Sequence, residues 1–263
     1  MSIGIRVKGA RVQNLDNVIW RDRTLVRAWC MRRTMFLVPS DDLAVFVRGT
    51  VRRSVYNYRY ALARVSPGKE LDRLLDALME VLDRPRTRME IAQLLNESKG
   101  YRLKSKAGGG WGSKRAVPWV EAGGLSLPVG FLLHVLGARD VICSGPNRGM
   151  ESTYVRADKW VSGWKDVPTD EAERSLLRKY LSTYGPATLS DFALWMGMYV
   201  RDAKEIWAKG ETAMASVKVA GRKGSILLSD LPDLKNHAWM SLSFASSRSS
   251  IRISLGTGPT GAW

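Results

Sequence analysis

The sequence predicts an α+β, helix-rich fold in which groups of helices alternate with β-hairpins. Three observations carry this. Between residues 66 and 165, three helical patterns precede an alternating segment broken at a turn, and the same order starts again between 166 and 234. A third is the stretch RTLVRAWCMRRTMFLVPSDD at Arg23–Asp42, which reads as two strands around Arg32-Arg33.

Taken in order, Asn14 is placed to cap a short helix on which Leu15, Val18 and Ile19 share a face. Leu25–Met31 and Thr34–Val38 are rich in strand formers, so they are expected to pair, with Arg32-Arg33 exposed at the turn. Ser40 is expected to cap the next helix, with Asp41 and Asp42 in its first turn, where the helix dipole favours acids. Ser66-Pro67-Gly68 is the first clear break.

After it, Glu70–Leu82 carries an apolar stripe at Leu71, Leu74, Leu75, Leu78, Met79 and Leu82, the spacing of an amphipathic helix. Thr87 followed three residues later by Glu90 is a capping-box pattern, which starts a second helix. Residues 99–124 are glycine-rich and basic and read as a mobile, solvated loop. Leu127–Leu136 is expected as a third helix, with Pro128 in its first turn and Gly137 closing it. A hairpin should follow, with strands Val141–Cys143 and Ser152–Val155 around Gly-Pro-Asn-Arg-Gly.

The second series has helices at Asp170–Tyr184, after Thr188, and at Tyr199–Lys209, then a hairpin around Gly221-Arg222-Lys223-Gly224. Three helices and a hairpin are the winged-helix plan, in which the second and third helices form a helix-turn-helix and the hairpin is the wing. The fold class is therefore α+β with tandem winged-helix modules. The expected domains are an N-terminally incomplete module at 1–65, a second at 66–165 and a third at 166–234. A poorly patterned tail at 235–263 reads as a strand pair, a disordered segment or an out-of-frame end.

Charge points to a partner. The formal net charge is +16 with a pI near 10.1, which favours an anionic partner. The excess is concentrated in residues 1–65, which hold 13 Lys/Arg against 4 Asp/Glu. No amphipathic helix with a basic face and no apolar run of membrane-spanning length is present, so nucleic acid leads over membrane. No secretory signal is visible, and Cys30 and Cys143 read as reduced, buried thiols of a cytoplasmic protein.

No HExxH, CxxC or Ser/His/Asp spacing occurs, so no metal and no small-molecule cofactor is expected, and no catalytic residue is selected. His134 sits among Phe131, Leu132, Leu133 and Val135 and reads as a packing histidine. GGGWGSK lacks the spacing of a phosphate loop. The candidate nucleic-acid contacts are Arg27, Arg32 and Arg33 in the first hairpin. They continue with Lys104, Lys106, Lys114 and Arg115 in the basic loop, Arg148 at the second hairpin tip, and Arg222 and Lys223 at the third. Lys and Arg at such positions suit phosphate contacts, and Trp111 and Trp119 could stack on bases. Basic wings do not by themselves choose DNA over RNA.

Two long stretches, LVRAWCMRRTMFLVPSDDL and YLSTYGPATLSDFALWMGM, with TRMEIAQLL as a weaker third, resemble the winged-helix family of the AlkZ/YcaQ-like DNA glycosylases. The resemblance covers roughly residues 3–230. It implies tandem winged helices around duplex DNA, excision of alkylated bases and unhooking of interstrand crosslinks. It also implies a Gln-x-Gln or Gln-x-Asp motif that positions water and stabilises charge developing on the sugar. The family carries that motif a little before a segment like Ile5-Arg6-Val7, so the chain is expected to lack it and looks truncated at both ends. Arg33 and Phe36 depart from the family's Gly and His, and only Leu231-Pro232-Asp233 is left of its usual C-terminal block. The expectation is a monomeric duplex-DNA-binding protein related to crosslink-repair glycosylases; the alternative is a non-catalytic DNA-binding protein such as a transcriptional regulator.

Overall fold

The computed structural model describes residues 11–51, 69–107, 116–139, 141–219, 222–235, 240–245 and 250–255. The chain divides into two compact units, Met1–Val167 and Pro168–Trp263. Both mix helix and sheet, as the α+β reading expects.

In the first unit, helix α1 (Val12–Asp16) runs on into a π-helical turn, Asn17–Arg21. It starts earlier than expected: extended Arg11 precedes it, and Asn14 lies inside it, accepting from the Arg11 N–H. Strands β1 (Leu25–Trp29) and β2 (Met35–Pro39) pair antiparallel from Leu25↔Pro39 to Trp29↔Met35. The turn between them is a 3-10 segment in which Arg32 has φ 53, an uncommon conformation for a side chain other than Gly. Helix α2 (Leu43–Arg48) follows a 3-10 turn, Ser40–Asp42, which leaves Asp42 rather than Ser40 at its N-cap position.

Helix α3 (Lys69–Val81) buries Leu71, Leu74, Leu75 and Leu78, the stripe that its spacing predicts. It packs on α4 (Arg88–Lys99) and α5 (Val129–Arg139), whose Ile91, Leu95, Leu132, Leu133 and Leu136 are fully buried. Each such side chain contributes about 1.5–3 kcal/mol by leaving water. Thr87 is at once the last residue of β3 (Arg86–Thr87) and the N-cap of α4, and the Thr87–Glu90 capping box forms in full.

Three expectations are corrected here. The expected solvated loop at 99–124 instead contains two strands: β4 (Arg102–Ala107) and β5 (Ala116–Ala122) pair in register from Arg102↔Glu121 to Ala107↔Ala116, residues 108–115 lying outside the described structure. Leu103 and Val120 pack into the core from this hairpin, and that apolar alternation outweighs the glycine content. Pro128 does not enter helix α5. It ends strand β6 (Leu125–Pro128) opposite Trp119, because a residue before proline is held extended; nor does Gly137 close α5, which runs on to Arg139. The next hairpin is longer than expected, with β7 (Ile142–Arg148) and β8 (Glu151–Arg156), so Gly145-Pro146-Asn147-Arg148 lies within β7 across a register shift.

The first hairpin is also not separate from this one. Arg27 pairs with Ser144, which joins both into a five-stranded sheet ordered β2-β1-β7-β8-β3. The short helix α6 (Ala157–Trp160) follows. Gly145 is required where β7 passes Pro85, since a Cβ there would lie 2.6 Å from the Pro85 ring.

The second unit begins with α7 (Thr169–Tyr184), α8 (Leu189–Met196) and α9 (Val200–Gly210), then hairpin β9 (Met214–Val219) and β10 (Arg222–Leu227). Tyr180 and Phe192 pack at 5.2 Å within a core that includes Leu176, Ala203 and Ile206. Glu173 is fully buried on α7, and Lys209 from the last turn of α9 meets it at 2.7 Å while also pairing with Asp170. Helix α10 (Leu231–Lys235) leads to β11 (Met240–Ala245) and β12 (Ser250–Leu255), so a strand pair is found within 235–263. Strand β12 joins β9 in parallel, giving the sheet order β10-β9-β12-β11.

One local plan occurs in both units. Pro85, Thr87, Glu90 and Ala92 have counterparts at the same spacing in Pro186, Thr188, Asp191 and Ala193. Both threonines cap a helix through a full box. Arg86-Thr87 pairs with β8, and Ala187 pairs with Ser225 of β10. Gly224 approaches Pro186 much as Gly145 approaches Pro85.

Leu78→Ala is expected to cost about 2–5 kcal/mol in denaturant unfolding, whereas Leu194→Ala, at a side chain 77% exposed, should stay within about 0.5 kcal/mol. Burial pushes the Cys30 and Cys143 thiols up to about 12, the nearby Arg23 only partly opposing this at Cys143. At pH 8 both should resist a thiol reagent in the native protein and react quickly in guanidinium.

Candidate nucleic-acid interface

The candidate basic residues fall into distinct settings. Arg27 lies in a row across one face of the sheet, Leu37–Arg27–Ser144–Tyr154–Arg86, one residue from each strand. Its Nη2 donates to Asn147 Oδ1 at 3.1 Å, and its guanidinium lies 5.5 Å from the Trp20 ring. Its Nε and the Ser144 hydroxyl are buried with no partner among the described residues. Arg32 is exposed at the turn; for Arg33 only the backbone belongs to the described structure.

Lys104 on β4 pairs with Glu121 on β5 at 2.6 Å, and that hydrogen bond holds the Glu121 carboxyl below its usual value. Lys106 is placed on β4 by its backbone, and Lys114 and Arg115 lie outside the described residues, as does Trp111. Trp119 is half-buried in the pairing of β5 with β6. Arg148 is the last residue of β7 and sits opposite Glu151 rather than in the turn itself. It pairs with Glu90 at the start of α4, and its Nη2 donates to Pro85 O at 3.1 Å.

In the second unit, Arg222 and Lys223 are exposed and belong to strand β10, opposite Val219 and Lys218. They were expected at the tip of the turn; pairing moves both into the strand. The Lys218↔Lys223 pairing puts two ammonium groups on one face of the hairpin. Like charges directly opposite one another destabilise a ladder, so this pair suits a surface that meets an anion. Lys218 was not singled out in the sequence, although its alternation within SVKVAGRK was the available signal.

Several described aromatic residues of the first unit pack against neighbouring elements. Trp29 stacks on Tyr154 at 5.4 Å and contacts the His134 ring at 4.4 Å, in keeping with a packing role for that histidine. Arg88 donates to the Tyr154 hydroxyl at 3.0 Å. Arg23 lies 3.8 Å from the Trp160 ring centroid and donates to Trp160 O, a cation–π contact joining the start of β1 to α6. Among the described residues no cluster of three or more His, Cys, Asp or Glu could hold a metal, and no helix is long and apolar enough to cross a membrane.

The carboxylates divide by neighbour. Hydrogen bonds from arginines lower Asp83 (Arg86), Asp158 (Arg156) and Asp166 (Arg48). Asp191 is lowered chiefly by the Thr188 hydroxyl and N–H. Burial alone would raise Glu90, but Thr87 and Arg148 together outweigh it and bring the carboxyl below its usual value. Every described carboxylate whose pKa departs from normal is thus stabilised as an anion, not raised toward a general-acid range.

The family model "DNA glycosylase AlkZ-like" matches residues 1–240. An interstrand DNA cross-link repair glycosylase of Streptomyces sahachiroi is 24% identical over 221 residues, 81% of this chain and 55% of that protein. The solved structure of Streptomyces sahachiroi DNA glycosylase AlkZ matches with a TM-score of 0.66 at 21% identity, covering 90% of this chain and 62% of that one. The structural likeness shows a shared fold, and this chain spans little more than half the length of those relatives. With nine-tenths of its residues inside the family match, the chain belongs to the AlkZ-like DNA glycosylases.

Proposed function

We propose that this chain grips duplex DNA through tandem winged-helix modules, as a relative of glycosylases that excise alkylated bases and unhook interstrand crosslinks. The observation that carries the reading is the repeated plan of a capped helix, a bridging residue pair and a hairpin, with Lys218, Arg222 and Lys223 on the second hairpin. In that plan α8 and α9 form the helix-turn-helix and β9–β10 the wing; α3, α4, α5 and β7–β8 are the equivalent set in the first unit. The net charge of +16 supplies the sequence-independent part of the attraction. The reading needs no metal or cofactor and takes the protein to act as a cytoplasmic monomer.

The relatives' repair activity suggests excision of a damaged base as the reaction. No residue of this chain is assigned a catalytic role, and binding is the activity that the geometry supports. A second reading, a non-catalytic DNA-binding regulator, uses the same basic hairpins and differs in leaving every base in place.

Binding to duplex DNA should weaken steeply with salt, and the Arg222→Ala/Lys223→Ala double variant should lower the slope of log K against log salt by about 2. A salt-independent interaction would sink the proposal. Incubation with alkylated duplex separates its two forms: free base in the supernatant supports excision, whereas intact bases and preference for one duplex sequence support a regulator.

A further inference from the structure

The start of α4 carries a carboxylate with two separate tasks. Glu90 Oε2 accepts from the Thr87 N–H at 2.7 Å, which closes the cap. Its Oε1 accepts from the Arg148 guanidinium, which also reaches Pro85 O. The side chains are 54% and 31% exposed at Arg148 and Glu90 respectively. Water and salt screen a pair this exposed, so it adds little net stability and a stronger anion can displace the carboxylate. Because the cap uses the other oxygen, the helix start survives that exchange.

The second unit repeats the cap. Asp191 accepts from the Thr188 N–H and hydroxyl at 2.9 and 2.7 Å through one oxygen. The hairpin ion pair to the acidic member of the box is seen at Arg148–Glu90 in the first unit.

We propose that this is a phosphate-docking station, in which Glu90 holds Arg148 in place until a backbone phosphate of duplex DNA takes the guanidinium. The inference rests on the duplex-DNA reading above and adds which residues set its affinity. The carboxylate keeps the arginine from adventitious anions and fixes its position. A phosphate, with its greater charge and fork-matching oxygens, wins the exchange.

The test is salt-titrated binding of a short duplex to the full chain, with thermal melting of each variant as a check on folding. Glu90→Gln keeps an oxygen for the Thr87 N–H but removes the charge, and it should bind about two- to five-fold tighter than the native protein. Arg148→Ala should bind several-fold more weakly, and in that background Glu90→Gln should bring no gain. Equal gains with and without Arg148 would reveal a general field effect and overturn the station. So would native affinity in Arg148→Ala. If that variant fails to fold, Arg148→Lys serves: a charge freed from its two-pronged hold should bind at least as tightly as native, and a large loss counts against the exchange. If the native chain shows no salt-dependent duplex binding, both this inference and the function it rests on fall. If it does and the variants are unchanged, the station alone falls.

Discussion

In each unit a threonine at or just after a short strand pairing opens a capped helix. Thr87 pairs with Thr153 through its backbone while its hydroxyl accepts from the Glu90 N–H. Thr188 repeats the cap one residue after the Ala187↔Ser225 pairing. The backbone has no slack here: strand pairing fixes where the chain leaves the sheet, and the cap fixes the direction in which the helix departs. The hairpins β7–β8 and β9–β10 pair with this same short segment in their respective units.

Charge is organised around that joint. Several acids of the first unit pair with nearby arginines, as at Asp83, Asp158 and Asp166. Positive charge is left over on the hairpin of the second unit, where Lys218 and Lys223 stand opposite each other. The buried pair of Glu173 and Lys209 has a different role. It joins α7 to the last turn of α9, and removing Lys209 would take this cation away from the fully buried Glu173 carboxylate.

Local features were legible in the amino-acid sequence and distant ones were not. Both capping boxes, the leucine stripe of α3 and the glycine-proline stop after Tyr184 follow from residues a few positions apart. The Lys- and Gly-rich composition of 99–124 hid its strands, because the apolar residues that pair β4 with β5 come from opposite ends of the segment. Joining of the two hairpins through Arg27↔Ser144 leaves no pattern in either strand alone. The same holds for the site. Arg148 was recognisable as a basic residue near a turn, but its partner Glu90 lies 58 residues away and was legible only as a cap.

Strand β3 is just two residues long, Arg86–Thr87, and it forms one margin of the five-stranded sheet. An extended margin offers unpaired peptide groups on which another chain can add a strand, and a two-residue margin offers very few. The opposite margin, β2, ends at Pro39, which has no N–H to donate. A sheet assembled from segments far apart in the chain, and therefore slow to complete, thus has both borders built to discourage self-association while it forms.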